Sequence, residues 1–173
     1  MFYSSDKTFS LDGGFILPNK NITKQDHKNK VKIYKIKKKF FHSFNTKPIL
    51  SHVDNHPSLT PVKMKALYQT GLYQSFRNVL KIKGFKEYYI PRLFCIAKLE
   101  SSFNAKARNF NTNGTIDIGL FQINSIWRKE CPKTLFSLEN NIDCAKIVLQ
   151  KQGLSAWVTY NNYGHICEKS LSI

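Results

Sequence analysis

The uneven division of the chain constrains its fold more than any other feature of the sequence. All four cysteines and both tryptophans lie in residues 61–173, whereas residues 1–60 contain neither residue type. The first 60 residues hold 11 lysines against 4 acidic residues and are interrupted at Gly13-Gly14. A sparse segment of this kind buries too little apolar surface to offset the entropy lost on ordering. We therefore predict a basic, mostly disordered N-terminal extension over residues 1–60 and one globular domain over residues 61–173.

The most patterned part of this extension is the lysine-rich stretch from Lys30 to Phe41. Val31, Ile33 and Ile36 alternate imperfectly with lysines there, which is compatible with a cationic edge strand. A polyanion-binding arm is a second alternative, and a solvated tail is the interpretation that we prefer. The residues after Met1 lack a basic region followed by an apolar stretch, so no secretory signal is visible.

The charge of the chain narrows the classes of partner that suit it. With 27 basic and 11 acidic residues the net charge is +16, which attracts nucleic acids, anionic membranes and acidic cell-wall polymers alike. The sequence contains no recognition helix, zinc-ligand set or aromatic RNA-binding motif, so no nucleic-acid partner is expected. It also has no run of eighteen apolar residues, so no membrane-spanning helix is expected.

Apolar periodicity predicts several helices in residues 61–173. Thr60-Pro61 supplies a cap and a first-turn proline for a helical pattern that continues to Leu80, is weakened at Gly71 and stops at Gly84. A second helix follows Pro91, and a third covers residues 140–152 and ends at a glycine.

A small sheet is predicted between these helices. Asn113-Gly114 is a strong hairpin signal, because both residues tolerate positive φ, and residues 116–123 read as one strand. Ser155 to Val158 begins a further short helix. Helices, then a hairpin, then helices are typical of an α+β fold with segregated elements.

The four cysteines, Cys95, Cys131, Cys144 and Cys167, lack the close pairs typical of zinc sites. They allow three disulfide pairings, and buried free thiols are the alternative. Disulfides would place the protein in an oxidising compartment.

Two of the seven acidic residues after residue 60 have unusual surroundings. Glu100 ends an apolar helix, whereas Asp117 follows the Asn-Gly turn in a segment rich in asparagine. An apolar wall favours the protonated form of a carboxyl group, and hydrogen-bond donors favour its ionised form. Such a pair suits a general acid that works with a nucleophile. An ordinary helix-end glutamate and an ordinary turn aspartate are the alternative.

The sequence around this pair resembles the C-type lysozymes. Segments 95–104 (CIAKLESSFN) and 111–124 (NTNGTIDIGLFQIN) match motifs of that family, and the spacing from glutamate to aspartate matches without a gap. Asp143-Cys-Ala-Lys146 and Ala156-Trp157 are similar to its third helix and to the tryptophan beside its catalytic acid. The resemblance extends over about Leu72 to Cys167. It implies a helical subdomain and a small antiparallel sheet with the active-site cleft between them.

By this resemblance the chain would be a muramidase, a glycoside hydrolase that cleaves β-1,4 bonds of peptidoglycan with retention of configuration. Glu100 would be the proton donor, with its pKa raised by an apolar pocket that includes Trp157. Asp117 would be the ionised nucleophile or stabiliser, with the two carboxyl groups about 5 Å apart. Peptidoglycan or a chitooligosaccharide-type glycan would be the substrate, and no cofactor is implied. The substrate-binding residues would be Asn111, Gln122 and Asn124 through their amides, Trp127 by stacking, and Ala156 and Trp157.

The chain departs from this family in its cysteines and in one loop. C-type lysozymes generally carry four disulfides, and the resemblance implies that Cys95–Cys167 and Cys131–Cys144 are the surviving pairs in this chain. The segment between residues 124 and 144 is shorter than in the family, and Arg128 stands where a second aromatic residue is frequent. The aspartates that bind calcium in the related lactalbumins are missing from residues 132–139, so no metal is expected.

The leading prediction is a secreted, monomeric muramidase that serves antibacterial defence or digestion and meets anionic bacterial surfaces through its charge. The first alternative is a catalytically weakened, lysozyme-like protein that binds glycan, because the cleft wall is shortened and disulfides are lost. The second is a cationic antimicrobial protein that acts on membranes. Asn21 and Asn113 begin glycosylation sequons, and a glycan on Asn113 would obstruct the cleft.

Overall fold

The structure, a computed structural model, describes residue 35, residues 59–131 and residues 134–172. The predicted disorder of the N-terminal extension, its polyanion-binding arm and the sequon at Asn21 therefore lie outside the described residues. Lys35 is the one described residue of the lysine-rich stretch, and it is exposed and helical. Within the described ranges, no helix has the length and apolar character that crossing a bilayer requires.

The predicted α+β class is confirmed in residues 59–172. Three short strands form one antiparallel sheet in the order β1-β2-β3, with helices before and after it in the chain. Two 3-10 helices, Ser125–Lys129 and Gly153–Ala156, precede the last two long helices. The elements are α1 (Pro61–Tyr68), α2 (Gly71–Ile82), α3 (Ile90–Ser101), β1 (Arg108–Phe110), β2 (Ile116–Ile118), β3 (Ile123–Asn124), α4 (Leu138–Gln152) and α5 (Val158–Ser172).

The first predicted helix is divided in two by a second capping residue. The hydroxyls of Thr60 and Thr70 each accept a hydrogen bond from the backbone N–H three residues further along. Both threonines have extended backbones, and Pro61 occupies the first turn of α1 as predicted. The helical pattern is therefore two helices, with the break directly before Gly71, its predicted weak point, and α2 ends at Ile82, shortly before the predicted stop at Gly84.

The single strand predicted over residues 116–123 is also wrong, because a turn interrupts it. Gly119 (φ +78°) and Gln122 (φ +44°) adopt left-handed conformations that reverse the chain between β2 and β3. In the resulting register Asp117 lies opposite Asn124 of β3 and also pairs with β1. Asp117 is thus placed on the central strand, with a neighbour on each side.

Two other glycines with positive φ lie where the sequence predicts them. Gly114 (φ +79°) belongs to the connection between β1 and β2, and Gly153 (φ +69°) ends α4. The hairpin and the third helix are confirmed. The helix predicted to start within Ser155 to Val158 does begin, at Val158, directly after a 3-10 turn that ends at Ala156. Its predicted shortness is wrong, because α5 has fifteen residues.

Helix α3 forms the centre of the core, since seven of its twelve residues are buried. The Phe94 ring of α3 lies 5.2 Å from Phe76 and 4.7 Å from Phe103. The buried Phe121 of the turn lies 6.2 Å from Phe76 and from Trp157. One continuous aromatic core therefore joins the helices to the turn of the sheet.

Covalent and ionic links fasten α4 and α5 to the rest. The disulfides are Cys95–Cys167, which joins α3 to α5, and Cys131–Cys144, which ties the segment after β3 to α4. These are the pairs that the resemblance implies. Lys83, directly after α2, forms ion pairs with Glu139 (3.0 Å) and Asp143 (2.8 Å) of α4.

We expect the two disulfides to contribute unequally to stability. Their sequence separations are 72 for Cys95–Cys167 and 13 for Cys131–Cys144. If the disulfides act by restricting the unfolded chain, the longer loop contributes about 4 kcal/mol and the shorter about 3 kcal/mol. Replacing Cys95 and Cys167 together by alanine should lower the free energy of unfolding, measured with urea, by more than the Cys131/Cys144 double replacement. A larger loss from the short loop would contradict this order.

Candidate active site

One cleft collects the residues that the sequence analysis singled out. It has a volume of about 610 Å³ and lies between the end of α3, the sheet and the start of α5. Residues that are far apart in the chain therefore face one space. All eight residues assigned above to catalysis or substrate binding line this cleft: Glu100, Asn111, Asp117, Gln122, Asn124, Trp127, Ala156 and Trp157.

Glu100 is half-buried in the last turn of α3. Thr159, in the first turn of α5, donates a hydrogen bond from Oγ1 to Oε1 of Glu100. Burial raises the pKa of Glu100 to about 7; the Thr159 hydrogen bond opposes this rise, and the negative charge of Asp117 adds to it. Near neutral pH Glu100 therefore holds a proton in a large share of the molecules.

Asp117 has a different environment, because amide donors hold both of its carboxylate oxygens. Nδ2 of Asn111 donates to Oδ2 at 3.0 Å, and Nδ2 of Asn124 donates to Oδ1 at 2.7 Å. The same two nitrogens also donate to Oγ1 of Thr115, at 3.0 and 2.9 Å. Two donors of this kind stabilise a negative charge on Asp117.

This network shows what Asn111 and Asn124 contact. Both hydrogens of each side-chain amide are engaged by Asp117 and Thr115, so neither amide projects a free donor into the cleft. Oδ1 of Asn124 accepts from the backbone N–H of Ile126, which caps the following 3-10 helix. The amides that the resemblance assigns to sugar hydroxyls here hold the candidate nucleophile.

Side chains from α3, α4 and the segment before α5 hold the turn between β2 and β3 in place. The turn directly follows β2, which carries Asp117. Ser101 and Trp157, which contact the turn, lie next to Glu100 and two residues before Thr159, so the turn is tied to the surroundings of both carboxyl groups. Asn141 Nδ2 donates to the carbonyl of Ile118 (2.8 Å), and Gln122 Nε2 donates to that of Gly119 (2.8 Å). Ser101 Oγ donates to the carbonyl of Leu120 (2.8 Å), and Trp157 Nε1 donates to that of Phe121 (2.9 Å).

Asn141 of α4 is the most deeply buried of these donors, with no exposed surface. Its Oδ1 accepts from the N–H of Phe121 at 3.0 Å, and its Nδ2 donates to the carbonyls of Ile118 (2.8 Å) and Leu135 (3.2 Å). A Cβ on Gly119 would lie 2.6 Å from that Nδ2. Close approach to Asn141 therefore requires glycine at 119, in addition to the positive φ.

The remaining predicted residues occupy different depths of the cleft. Trp127 is half-buried in the 3-10 helix after β3, beside the exposed Arg128, whereas Trp157 is only 4% exposed and belongs to the core. Ala156 is half-buried at the end of the second 3-10 helix. The Gln122 amide is turned back onto its own turn. Trp127 is therefore the large aromatic ring that the cleft presents most openly among those predicted.

The sequence analysis missed Thr159, although it contacts Glu100 directly. No motif marks this residue, and its one signal is its position two residues after Trp157. Other residues missed in the cleft wall are Phe110, Thr112, Ile123, Val148 and Val158, whereas Asn113 lines the cleft as the sequence analysis expected.

Two carboxyl groups are the reactive groups of the cleft. Glu100 and Asp117 are the only ionisable residues among the described ones that line it. In the part of the chain that the structure describes, no cluster of three or more His, Cys, Asp or Glu side chains is placed to hold a metal ion. The arrangement supplies one carboxyl that is protonated near neutral pH and one carboxylate held by donors, a combination suited to acid and nucleophile chemistry.

Comparisons with known proteins match this half of the chain. The model of the C-type lysozyme/alpha-lactalbumin family matches residues 65–173. Over 104 residues the chain is 36% identical to Lysozyme C-1/C-2 of Axis axis, with 50% of this chain and 81% of that protein covered. It is also 36% identical over 104 residues to Lysozyme C of Takifugu rubripes, with 50% and 73% covered. A solved lysozyme structure from Litopenaeus vannamei aligns with a TM-score of 0.45 at 30% identity, covering 56% of this chain and 86% of that one.

Replacing Asn141 by alanine should strongly destabilise the fold. The change leaves one backbone N–H and two carbonyls without their partner in a buried place, each of which costs about 1–3 kcal/mol. We expect the free energy of unfolding, measured with urea, to fall by about 3 kcal/mol or more. The matched control is Asn140→Ala, the same change on the preceding, half-buried residue, for which we expect a loss below about 1 kcal/mol. Equal losses would show that the buried amide does not anchor the turn.

Replacing Glu100 by glutamine should stabilise the protein at alkaline pH. The pKa of Glu100 in the folded protein, about 7, lies above the reference value of 4.5. Between these two values the folded state binds more protons than the unfolded state. The stability of the wild-type protein therefore falls as the pH rises from 4.5 to about 7. Glutamine is never charged and escapes this loss. We expect an advantage of up to about 3 kcal/mol at pH 8 that declines towards pH 4. Thermal unfolding of both proteins at each pH measures it, and a pH-independent difference would contradict the raised pKa.

Proposed function

Since the chain belongs to the C-type lysozyme/alpha-lactalbumin family, we propose that it is a retaining muramidase, a glycoside hydrolase that cleaves β-1,4 bonds of bacterial peptidoglycan. The observation that carries the proposal is the contrast between two carboxyl groups in one cleft. Glu100 is kept protonated towards neutral pH by burial, and Asp117 is held by two amide donors. Glycoside hydrolysis by two carboxyl groups needs this division of roles.

Glu100 is the general acid in this mechanism. Its proton passes to the glycosidic oxygen as the bond to the sugar breaks, and the apolar surroundings that raise its pKa supply the proton at mildly acidic and neutral pH. Once deprotonated, the same carboxylate acts as the base that removes a proton from the attacking water. Retention of configuration follows from these two successive displacements.

Asp117 is the nucleophile, or the charge that stabilises the oxocarbenium-like transition state. It lines the cleft from the central strand, and Asn111 and Asn124 fix the direction of its two oxygens. The role of these asparagines is therefore to orient Asp117.

The glycan binds along the cleft, with Trp127 as its stacking platform. A half-buried indole offers a flat apolar face to a sugar ring and remains accessible from the cleft. Gln122, Ala156 and Trp157 complete the wall around the scissile bond. Peptidoglycan and chitooligosaccharides share the β-1,4 backbone that this cleft would bind.

Charge and disulfides support the proposed setting of this activity. Residues 61–173 hold 16 basic and 7 acidic residues, a net of +9, and the whole chain carries +16. Such a surface speeds encounter with anionic bacterial walls, an effect that decreases with salt. Two disulfides suit a secreted protein. We assign the activity to the domain over residues 61–173, acting as a monomer without a cofactor in antibacterial defence or digestion.

Hydrolysis by the full, oxidised chain tests the proposal. Clearing of a Gram-positive cell-wall suspension and release of reducing ends from chitooligosaccharides should be measured from pH 4 to pH 9. We expect Glu100→Gln to lower the rate by about 100-fold or more, since a positioned general acid contributes about 10²–10⁴. Wild-type activity should fall about tenfold per pH unit above pH 7, because Glu100 loses its proton there.

The matched control is Glu87→Gln, which removes an exposed carboxylate paired with Arg77 outside the cleft. This variant should keep wild-type activity and the wild-type pH profile. Undiminished hydrolysis by Glu100→Gln would overturn the mechanism. Glycan binding without release of reducing ends, by a folded wild-type protein, would instead identify the alternative, a glycan-binding protein that has lost turnover.

A further inference from the structure

The one hydrogen bond that the described residues make to the Glu100 carboxyl comes from a residue that the proposed chemistry does not use. Thr159 donates from Oγ1 to Oε1 of Glu100, and this contact bridges the end of α3 and the first turn of α5. Thr159 is half-buried and lines the cleft beside Glu100. Its neighbours Val158 and Trp157 have apolar side chains in the same wall, so the hydroxyl is the local polar group of that wall.

We propose that Thr159 is a positioning residue for the acid: by occupying Oε1 it directs the transferable proton to Oε2 and stabilises the carboxylate that remains after proton transfer. This inference rests on the proposed function. In a protonated carboxyl group the carbonyl oxygen is a better hydrogen-bond acceptor than the hydroxyl oxygen, so a donor at Oε1 favours the proton on Oε2. The protonated acid therefore presents its O–H from Oε2, the oxygen left for the substrate.

The same contact assists the second half of the retaining reaction. After the first step Glu100 is an anion in an apolar place, and a hydroxyl donor stabilises that anion. Burial favours the acid form needed for the first step, and Thr159 favours the base form needed for the second. The pKa of about 7 is thus a balance between burial, which raises it, and the Thr159 hydrogen bond, which lowers it.

Few other charges face Glu100. Asp117 of β2 is the only other ionisable residue of the cleft wall among the described residues, and its charge raises the pKa of Glu100. On α3 itself Lys98 is half-buried two residues away. The side chains that α5 and the preceding 3-10 helix contribute to the wall are uncharged. A change at Thr159 therefore alters the titration of Glu100 without removing a charge.

Three variants of the full chain test this inference. Thr159→Val keeps the shape of the side chain and removes the donor, Thr159→Ala removes donor and bulk, and Thr159→Ser keeps a hydroxyl. The first measurement is the titration of the Glu100 carboxyl carbon by NMR, in protein labelled at glutamate, which needs no substrate. The second is the pH dependence of kcat/KM for a chitooligosaccharide, together with KM at pH 5.

We expect Thr159→Val and Thr159→Ala to move the Glu100 midpoint and the alkaline limb of activity upward together, by about one pH unit. Thr159→Ser should restore the wild-type values, and KM should change less than twofold in all three. An altered melting temperature without a moved midpoint would indicate a purely structural role and overturn the inference. Identical Glu100 titration in Thr159→Val and Thr159→Ser would overturn it as well.

The two proposals fail in distinguishable ways. If the wild type hydrolyses glycan but no Thr159 variant moves the alkaline limb of the pH–activity profile, the proposed role of Thr159 is refuted and the muramidase proposal stands. The opposite result is also informative. If the titration midpoint of Glu100 moves in Thr159→Val but neither the wild type nor any variant hydrolyses a glycan, the muramidase proposal is refuted and the effect of the Thr159 hydrogen bond on Glu100 is supported.

Discussion

The side-chain hydrogen bonds onto the turn of residues 119–122 are the constraint on which the site depends. The sheet has two strands of three residues and one of two, too little to be stable without packing. Asn141, Ser101 and Trp157 reach the turn from three different parts of the helical region and satisfy its buried carbonyls. Each carbonyl would cost free energy if it were left unpaired. The sheet is therefore held against the helices by polar contacts as much as by apolar packing.

The different behaviour of the two carboxyl groups follows from this attachment. Glu100 is in the last turn of α3, where the helix enters the core, so desolvation dominates its titration. Asp117 lies on the central strand of the attached sheet and lines the cleft, where Asn111, Thr115 and Asn124 form a polar network around it. An identical functional group thus has an apolar and a polar environment on the two sides of one cleft. The difference follows from the positions of the two residues in the fold. Glu100 lies in the last turn of α3, and Asp117 lies on β2 just before the turn that leads to β3.

The position of α5 relative to α3 is fixed at several points, and this matters because Thr159 and Glu100 lie on different helices. The Cys95–Cys167 disulfide crosses between these two helices. Beside it Arg92 donates to Glu168 at 2.6 Å, and Tyr160 donates to the other oxygen of Glu168, also at 2.6 Å. Partly buried ion pairs of this geometry are more specific than exposed ones. With fewer disulfides than the family generally carries, such contacts maintain the geometry that the acid requires.

The sequence by itself determined the α+β class and the ends of α3 and α4, because local spacing and capping specify these features. Which eight residues share the cleft was implied by the resemblance of the motifs to the C-type lysozymes. The sequence also indicated that Glu100 and Asp117 differ in environment. Only the tertiary structure decided that Thr70 divides the first helix, that a turn interrupts residues 116–123, and that Asn111 and Asn124 contact Asp117. Thr159 could not be found from sequence, since it meets Glu100 across 59 positions. Contacts of this kind depend on how helices pack after they form, and no local pattern encodes that arrangement.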